Sequence, residues 1–203
     1  MMNFARLGLL KLCLGIAYLA VASAAGSTGS TGAAWAATIS KDDQYPFYEP
    51  DLVQYVASKG SFPVVVVANP FGAGKDGALQ AGLELPSYYP PTPFIATTPQ
   101  NRDDGHIVLV FAPITAANGY DTCRTPASQT ITGQKGDTTN KTLRLQAAFC
   151  YDDEMVSEAF MEMPKPKGPH DQRLTLAIDQ FLDILLPSQS PNIGTCSAGG
   201  VNC

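Results

Sequence analysis

The chain is poor in the residues from which most catalytic and metal-binding signatures are made. Its 203 residues include two histidines, His106 and His170, one tryptophan and five cysteines. Neither an H-E-x-x-H motif nor a Cys-x-x-Cys pair occurs, which removes the strong zinc and redox signatures. No G-x-S-x-G elbow accompanies either histidine, so a serine triad has no nucleophile turn to stand on. Charged residues are scarce, at 15%, and their balance is acidic, with 13 Lys and Arg against 18 Asp and Glu. That balance works against attraction to nucleic acid or anionic lipid, and neither is expected as a partner. Past the N-terminal segment no apolar run approaches the ~20 residues of a membrane span. No internal repeat is found.

What is present starts at the N-terminus. Arg6 and Lys11 punctuate an apolar series of Leu7, Leu9, Leu10, Leu12, Leu14, Ile16, Leu19 and Val21, followed by small residues. This is the layout of a secretory signal, and both Ala22-Ser23-Ala24 and Ala34-Trp35-Ala36 satisfy the A-x-A cleavage pattern. Cleavage after Ala24 is preferred, because the site at Ala36 requires an unusually long c-region. Retention as an uncleaved anchor is the alternative, and would be the only expected membrane association. The expected organisation is a signal peptide over 1–24, a flexible linker over 25–44, a folded domain over 45–187 and a tail over 188–203. Removing Arg6 and Lys11 leaves 11 basic against 18 acidic residues, a net charge of −7.

Cleavage also removes Cys13. The remaining Cys123, Cys150, Cys196 and Cys203 form an even set, which in an exported chain reads as two disulfides. Cys196 and Cys203 lie close together in the tail, so elimination pairs Cys123 with Cys150; the competing arrangement straps a tail cysteine to one of them.

Periodicity supplies the elements. Pro50-Asp51 with Leu52, Val53, Tyr55 and Val56 predicts a helix of about two turns ending near Gly60. Phe62 to Ala68 and His106 to Ala112 are continuous apolar runs, each closed by a proline-containing turn, and are expected as neighbouring central strands. The connection between them is rich in glycine and proline and is expected to cover a sheet edge. Thr142 to Cys150 alternates apolar and polar residues. With Met155 to Met163 across Tyr151-Asp152-Asp153-Glu154 it predicts a β-hairpin. The inward face of its second strand is open between Ser157, Ala159, Met161 and Met163 on one side and Val156 and Phe160 on the other. Asp171 caps a helix with Leu174, Ala177, Ile178, Phe181, Leu182 and Leu185 at helical spacing, stopped by Pro187.

These add up to an α+β fold. A single small domain is expected, with a mostly antiparallel sheet of about four strands, a short N-terminal helix, a C-terminal amphipathic helix packed on one face, and long Gly/Pro-rich loops. The order of a valine-rich strand ending in Asn-Pro, a strand ending in Ala-Pro, a hairpin containing Ala-Phe-Cys and a helix ending in Leu-Pro resembles exported proteins of Gram-negative bacteria. That resemblance implies export and no particular activity.

Four clusters are candidates for chemistry. Gly72-Ala73-Gly74-Lys75-Asp76-Gly77 spells G-x-G-x-x-G after a strand, but Pro70 intervenes and no second strand follows until residue 106, so a glycine-rich loop is the better reading. Asp103, Asp104 and His106 gather two carboxylates and an imidazole, while Asp-Gly ahead of a strand is also ordinary turn chemistry. Asp152, Asp153 and Glu154 read as a solvated turn. Tyr45, Tyr48, Tyr88, Tyr89 and Phe94 form a Pro-rich aromatic group suited to binding. No cofactor or metal is expected. The resulting expectation is a periplasmic or secreted cell-envelope protein, non-enzymatic, that binds a partner protein or glycan through its aromatic loops. The alternative is an extracytoplasmic hydrolase or metal-dependent enzyme using Asp103, Asp104 and His106.

Overall fold

The computed structural model describes residues 36–72, 74–97, 105–114, 116–130 and 141–190. The signal sequence, Asp103, Asp104, Cys196 and Cys203 lie outside these residues. The elements run β1 (Thr38–Gln44), α1 (Pro50–Ala57), β2 (Phe62–Val67), α2 (Asp76–Gln80), β3 (Phe94–Ala96), β4 (His106–Phe111), α3 (Gly119–Arg124), a 3-10 turn (Pro126–Gln129), β5 (Thr142–Tyr151), β6 (Glu154–Pro164) and α4 (Gln172–Leu185).

Among the described residues the strands form a six-stranded mixed sheet in the order β1-β6-β5-β4-β2-β3. This corrects the expectation of about four mostly antiparallel strands. β1, β6, β5 and β4 pair antiparallel, whereas β4, β2 and β3 pair parallel. The two apolar runs are neighbours, with Val64 opposite Ile107 and Val67 opposite Val110, and they run in the same direction. Two strands were hidden in segments read as connections. β1 lies within the stretch assigned to the linker and needs few apolar side chains, because it is an edge strand held by one ladder to β6. β3 is three residues long and sits at the opposite edge, where its flanking prolines are tolerated.

The helices are not confined to one face. Val53 and Val56 of α1, Leu79 of α2 and Leu174, Phe181 and Leu182 of α4 pack with Phe62, Ile107, Leu145 and Phe149 in the larger core. A smaller cluster covers part of the other face, where Val65, Val108, Val110, Ala148 and Met155 surround Cys123 of α3 and Cys150 of β5. Those cysteines are bonded, with Cα atoms 5.7 Å apart. α3 falls in a stretch whose small apolar content predicts a loop. Asn118 caps it by accepting from the Asp121 N–H at 2.9 Å, and Gly119 lets it approach the sheet so closely that a Cβ there would fall 1.9 Å from Met155 Sδ.

The hairpin carries an irregularity that settles the inward face of β6. Asp152 and Asp153 both take positive φ, 50° and 62°, as a two-residue turn matched to strand twist requires. From Cys150 opposite Met155 the register shifts to Phe149 opposite Ser157, inserting Val156 as an extra residue. Val156 therefore joins the larger core together with Ala159, Met161 and Met163, and the Ser157 hydroxyl donates to the Leu185 carbonyl of α4 at 2.5 Å. Phe160 turns to the opposite face, with Glu158 and Glu162.

Candidate functional site

The aromatic residues singled out by sequence do not form one surface. Tyr48, Tyr89 and Phe94 are buried. Phe94 packs its ring 5.4 Å from Phe62, under the Pro-rich connection. Tyr48 and Tyr89 donate their hydroxyls to the Pro187 carbonyl at 2.6 and 2.8 Å and lie 3.1 Å from each other. Tyr88 donates to the Leu186 carbonyl at 2.9 Å. The three phenols thus serve carbonyls at the end of α4, which a helix ending before proline leaves without intrahelical partners. Burial pushes the Tyr48 and Tyr89 hydroxyls above the ordinary phenol range, and pushes Tyr88 up to about 12. Tyr45 is separate, half-buried on the second face beside Phe47 and Tyr120 with ring centroids 4.7 and 5.4 Å away.

His106 opens β4 and is 1% exposed, opposite Cys150 in the antiparallel ladder. An imidazole sealed at a strand start does not stand in an open cleft, and its proposed partners Asp103 and Asp104 lie outside the described residues. Among the described residues no group of three or more His, Cys, Asp or Glu is placed to hold a metal ion. Gly72 and Gly74 take positive φ in a loop that Asn69 closes by bonding Asp76, and the helix that follows is five residues long.

A better-built concavity lies on the second face, at the carboxyl end of β4. It is a cleft of about 350 Å³ lined by Ser40, Arg144, Gln146, Phe160 and Glu162 from β1, β5 and β6, with Pro113, Ile114 and Ala117 along one side. The floor follows from alternation. Leu143, Leu145, Ala147 and Phe149 point toward α4, so Arg144 and Gln146 point away from it. Because of the hairpin register, Arg144 stands directly opposite Glu162, and Gln146 opposite Phe160. Ser40 pairs with Phe160 from the other side.

The wall exists because the chain turns sharply at Ala112. This residue adopts φ 49°, a conformation L-residues rarely take, while its N–H stays bonded to the Arg144 carbonyl at 3.1 Å. The chain then folds over the sheet, where Pro113 bridges Thr130 and the Ile114 N–H donates to the Gln129 carbonyl at 2.8 Å. One residue past Ala117, Asn118 starts α3, which the Cys123–Cys150 bond fastens to β5. The wall is therefore tied to the sheet at both ends.

Electrostatically the cleft is mixed. Arg144 Nε lies 2.6 Å from Glu162 Oε1, with the two side chains 47% and 39% exposed. Gln146 is buried and donates from Nε2 to Glu158 Oε2 at 2.8 Å; Glu158 is buried as well, on the same face of the sheet and beside Gly119 of α3. An exposed ion pair of this kind adds only about 0–1 kcal/mol to stability. Its donors and acceptors nevertheless face a volume near the lower end of the roughly 300–1,000 Å³ typical of ligand sites.

A wider depression of about 820 Å³ is lined by Lys167, Gly168, Pro169, His170, Asp171 and Arg173 at the start of α4. Its polar groups are turned inward: Asp171 accepts from the Lys167 and Arg173 N–H groups at 2.8 and 3.1 Å and pairs with the Arg173 guanidinium. These bonds hold the Asp171 carboxyl well below the usual carboxylate range. No protein-family model, curated protein or solved structure matches this chain.

Proposed function

We propose that this chain is an exported binding module of the cell envelope, periplasmic or secreted, that takes its ligand in the cleft over β1, β6 and β5 rather than through the aromatic loops. The observation that carries this reading is the disulfide-fastened wall. A strained turn at Ala112 and a buried Cys123–Cys150 bond hold Pro113, Ile114 and Ala117 above a floor of strands. Disulfides of this kind persist in oxidising compartments, which supports export, as does the N-terminal signal pattern. Strand-borne side chains are positioned more closely than loop-borne ones, as a preorganised binding site needs. Arg144, Gln146 and Glu162 supply polar contacts, and Phe160, Pro113 and Ile114 supply apolar area.

The test is made on the full chain expressed in a Gram-negative host. The extracytoplasmic fraction should contain a product starting near Ala25 by N-terminal sequencing, with Cys123 linked to Cys150 in non-reducing peptide maps. That product should retain envelope-derived material that a Phe160→Asp variant of equal melting temperature does not. A chain found in the cytoplasm with free thiols, or retention unaffected by Phe160→Asp, would overturn the reading.

A further inference from the structure

Resting on that reading of the cleft, we infer that its ligand is a neutral saccharide, of one or two rings, and not an anion or a protein surface. Size is the first reason. A cleft of about 350 Å³ admits a small cyclic ligand, whereas a specific protein interface buries about 1,200–2,000 Å².

Charge is the second. The cleft presents one guanidinium, and Glu162 already neutralises it at 2.6 Å; Glu158, on the same face, is buried and bonded to Gln146. An incoming carboxylate or phosphate would meet a guanidinium already neutralised and would stand beside the Glu162 carboxylate. A neutral polyol meets no such repulsion. Arg144 commits Nε to Glu162, and its terminal nitrogens have no partner among the described residues, so they remain as donors in a planar fork. Glu162 accepts through carboxylate oxygens, and Ser40 does either. Donors and acceptors side by side on one strand pair match neighbouring sugar hydroxyls, each of which both gives and takes a hydrogen bond.

Composition of the walls is the third. A sugar ring carries an apolar C–H face as well as its hydroxyls. Phe160 is half-buried in the floor and Pro113 and Ile114 stand alongside, so the cleft has one apolar and one polar side. Polar recognition groups set on an apolar lining are the usual design of small-molecule sites.

The experiment uses the exported, oxidised protein on an array of neutral, sialylated, uronic-acid and sulfated glycans, with the best neutral hit titrated by calorimetry. Binding to neutral glycans is expected, weakened at least tenfold by Arg144→Ala and by Phe160→Ala and partly restored by Arg144→Lys. Arg144 is exposed, so its two variants should keep the wild-type melting temperature. Phe160→Tyr, which retains the ring, serves should Phe160→Ala fold poorly, and is expected to bind. Retention of acidic glycans in preference to neutral ones, retention of none, or neutral binding indifferent to Arg144→Ala would overturn the inference. Capture of an envelope protein that Phe160→Asp abolishes, with no glycan bound, would overturn it too, and leave the binding-module reading standing.

Discussion

The tyrosine cap on α4 makes a coupling prediction. Tyr48 and Tyr89 both donate to the Pro187 carbonyl, at 2.6 and 2.8 Å, and their hydroxyls are 3.1 Å apart. Tyr48→Phe removes one donor, but the carbonyl keeps the other, so the loss is that of one ordinary hydrogen bond, about 0.5–1.5 kcal/mol. Tyr89→Phe should cost about the same by symmetry. The double variant differs in kind, because Pro187 then has neither phenol and the penalty for an unpaired, partly buried acceptor is added, about 1–3 kcal/mol where water is excluded. Pro187 is only half-buried, so the low end applies, and the double loss should exceed the sum of the single losses by about 1 kcal/mol. Urea titrations of the wild type, both single variants and the double variant, followed by far-ultraviolet circular dichroism, close the cycle. A coupling energy of zero would refute the shared-acceptor reasoning. So would a single variant costing as much as the double.

Three further outcomes follow from the packing and the charges. Phe181 is fully buried beneath α4, so Phe181→Ala should cost about 3–5 kcal/mol in urea denaturation, whereas Leu176→Ala, 56% exposed on the same helix, should cost far less. Replacing Ala112 with glycine relieves a left-handed backbone that costs an L-residue roughly 1–2 kcal/mol, offset by about 0.5–1 kcal/mol of glycine entropy; melting should show a net gain of up to about 1.5 kcal/mol. Asp179 has a sealed oxygen with no hydrogen-bond partner among the described residues, and burial with Glu84 and Asp183 nearby raises its pKa. Its folded form binds a proton more tightly than its unfolded form, so this group favours folding at low pH and opposes it once pH rises through the folded pKa. Asp179→Asn should therefore raise the melting temperature at pH 7, by an amount that shrinks as pH is lowered toward the ordinary carboxylate range.

Where a segment's own side chains decided its fate, the sequence could be read. The runs at Phe62 and His106, the hairpin turn and the stripe from Leu174 to Leu185 each bury enough apolar area to announce themselves, and elimination found the Cys123–Cys150 bond. β1, β3 and α3 could not be read that way, since each is held by something outside itself: a single ladder, a neighbouring strand, a glycine contact and a disulfide. Parallel pairing of β2 with β4 depends on the long connection between them, and local pattern carries no record of its direction. The cleft was harder still. Arg144, Gln146 and Glu162 look like the solvated half of an alternating hairpin. Counting back from the turn along an unbroken ladder would set Arg144 against Met161, and only the extra Val156 brings it opposite Glu162. An unexplained run of polar residues on both strands was the available signal. The composition of the aromatic group is the same for a binding surface and for a buried cap, and three of its five members, Tyr48, Tyr89 and Phe94, are buried.

The pairing of β1 with β6 also sets an order in time. Of the described strands β1 is the first to leave the ribosome or a translocation pore, yet its partner among them is the last one made. Until Pro164 has emerged, Thr38 to Gln44 has no ladder to join, and Ser40 has no Phe160 beside it. Contacts so distant along the chain close late, because the loop entropy between their ends must be overcome first. The cleft floor therefore comes together at the end of folding, after the hairpin has formed, and a chain cut short before β6 would have the wall residues but nothing beneath them.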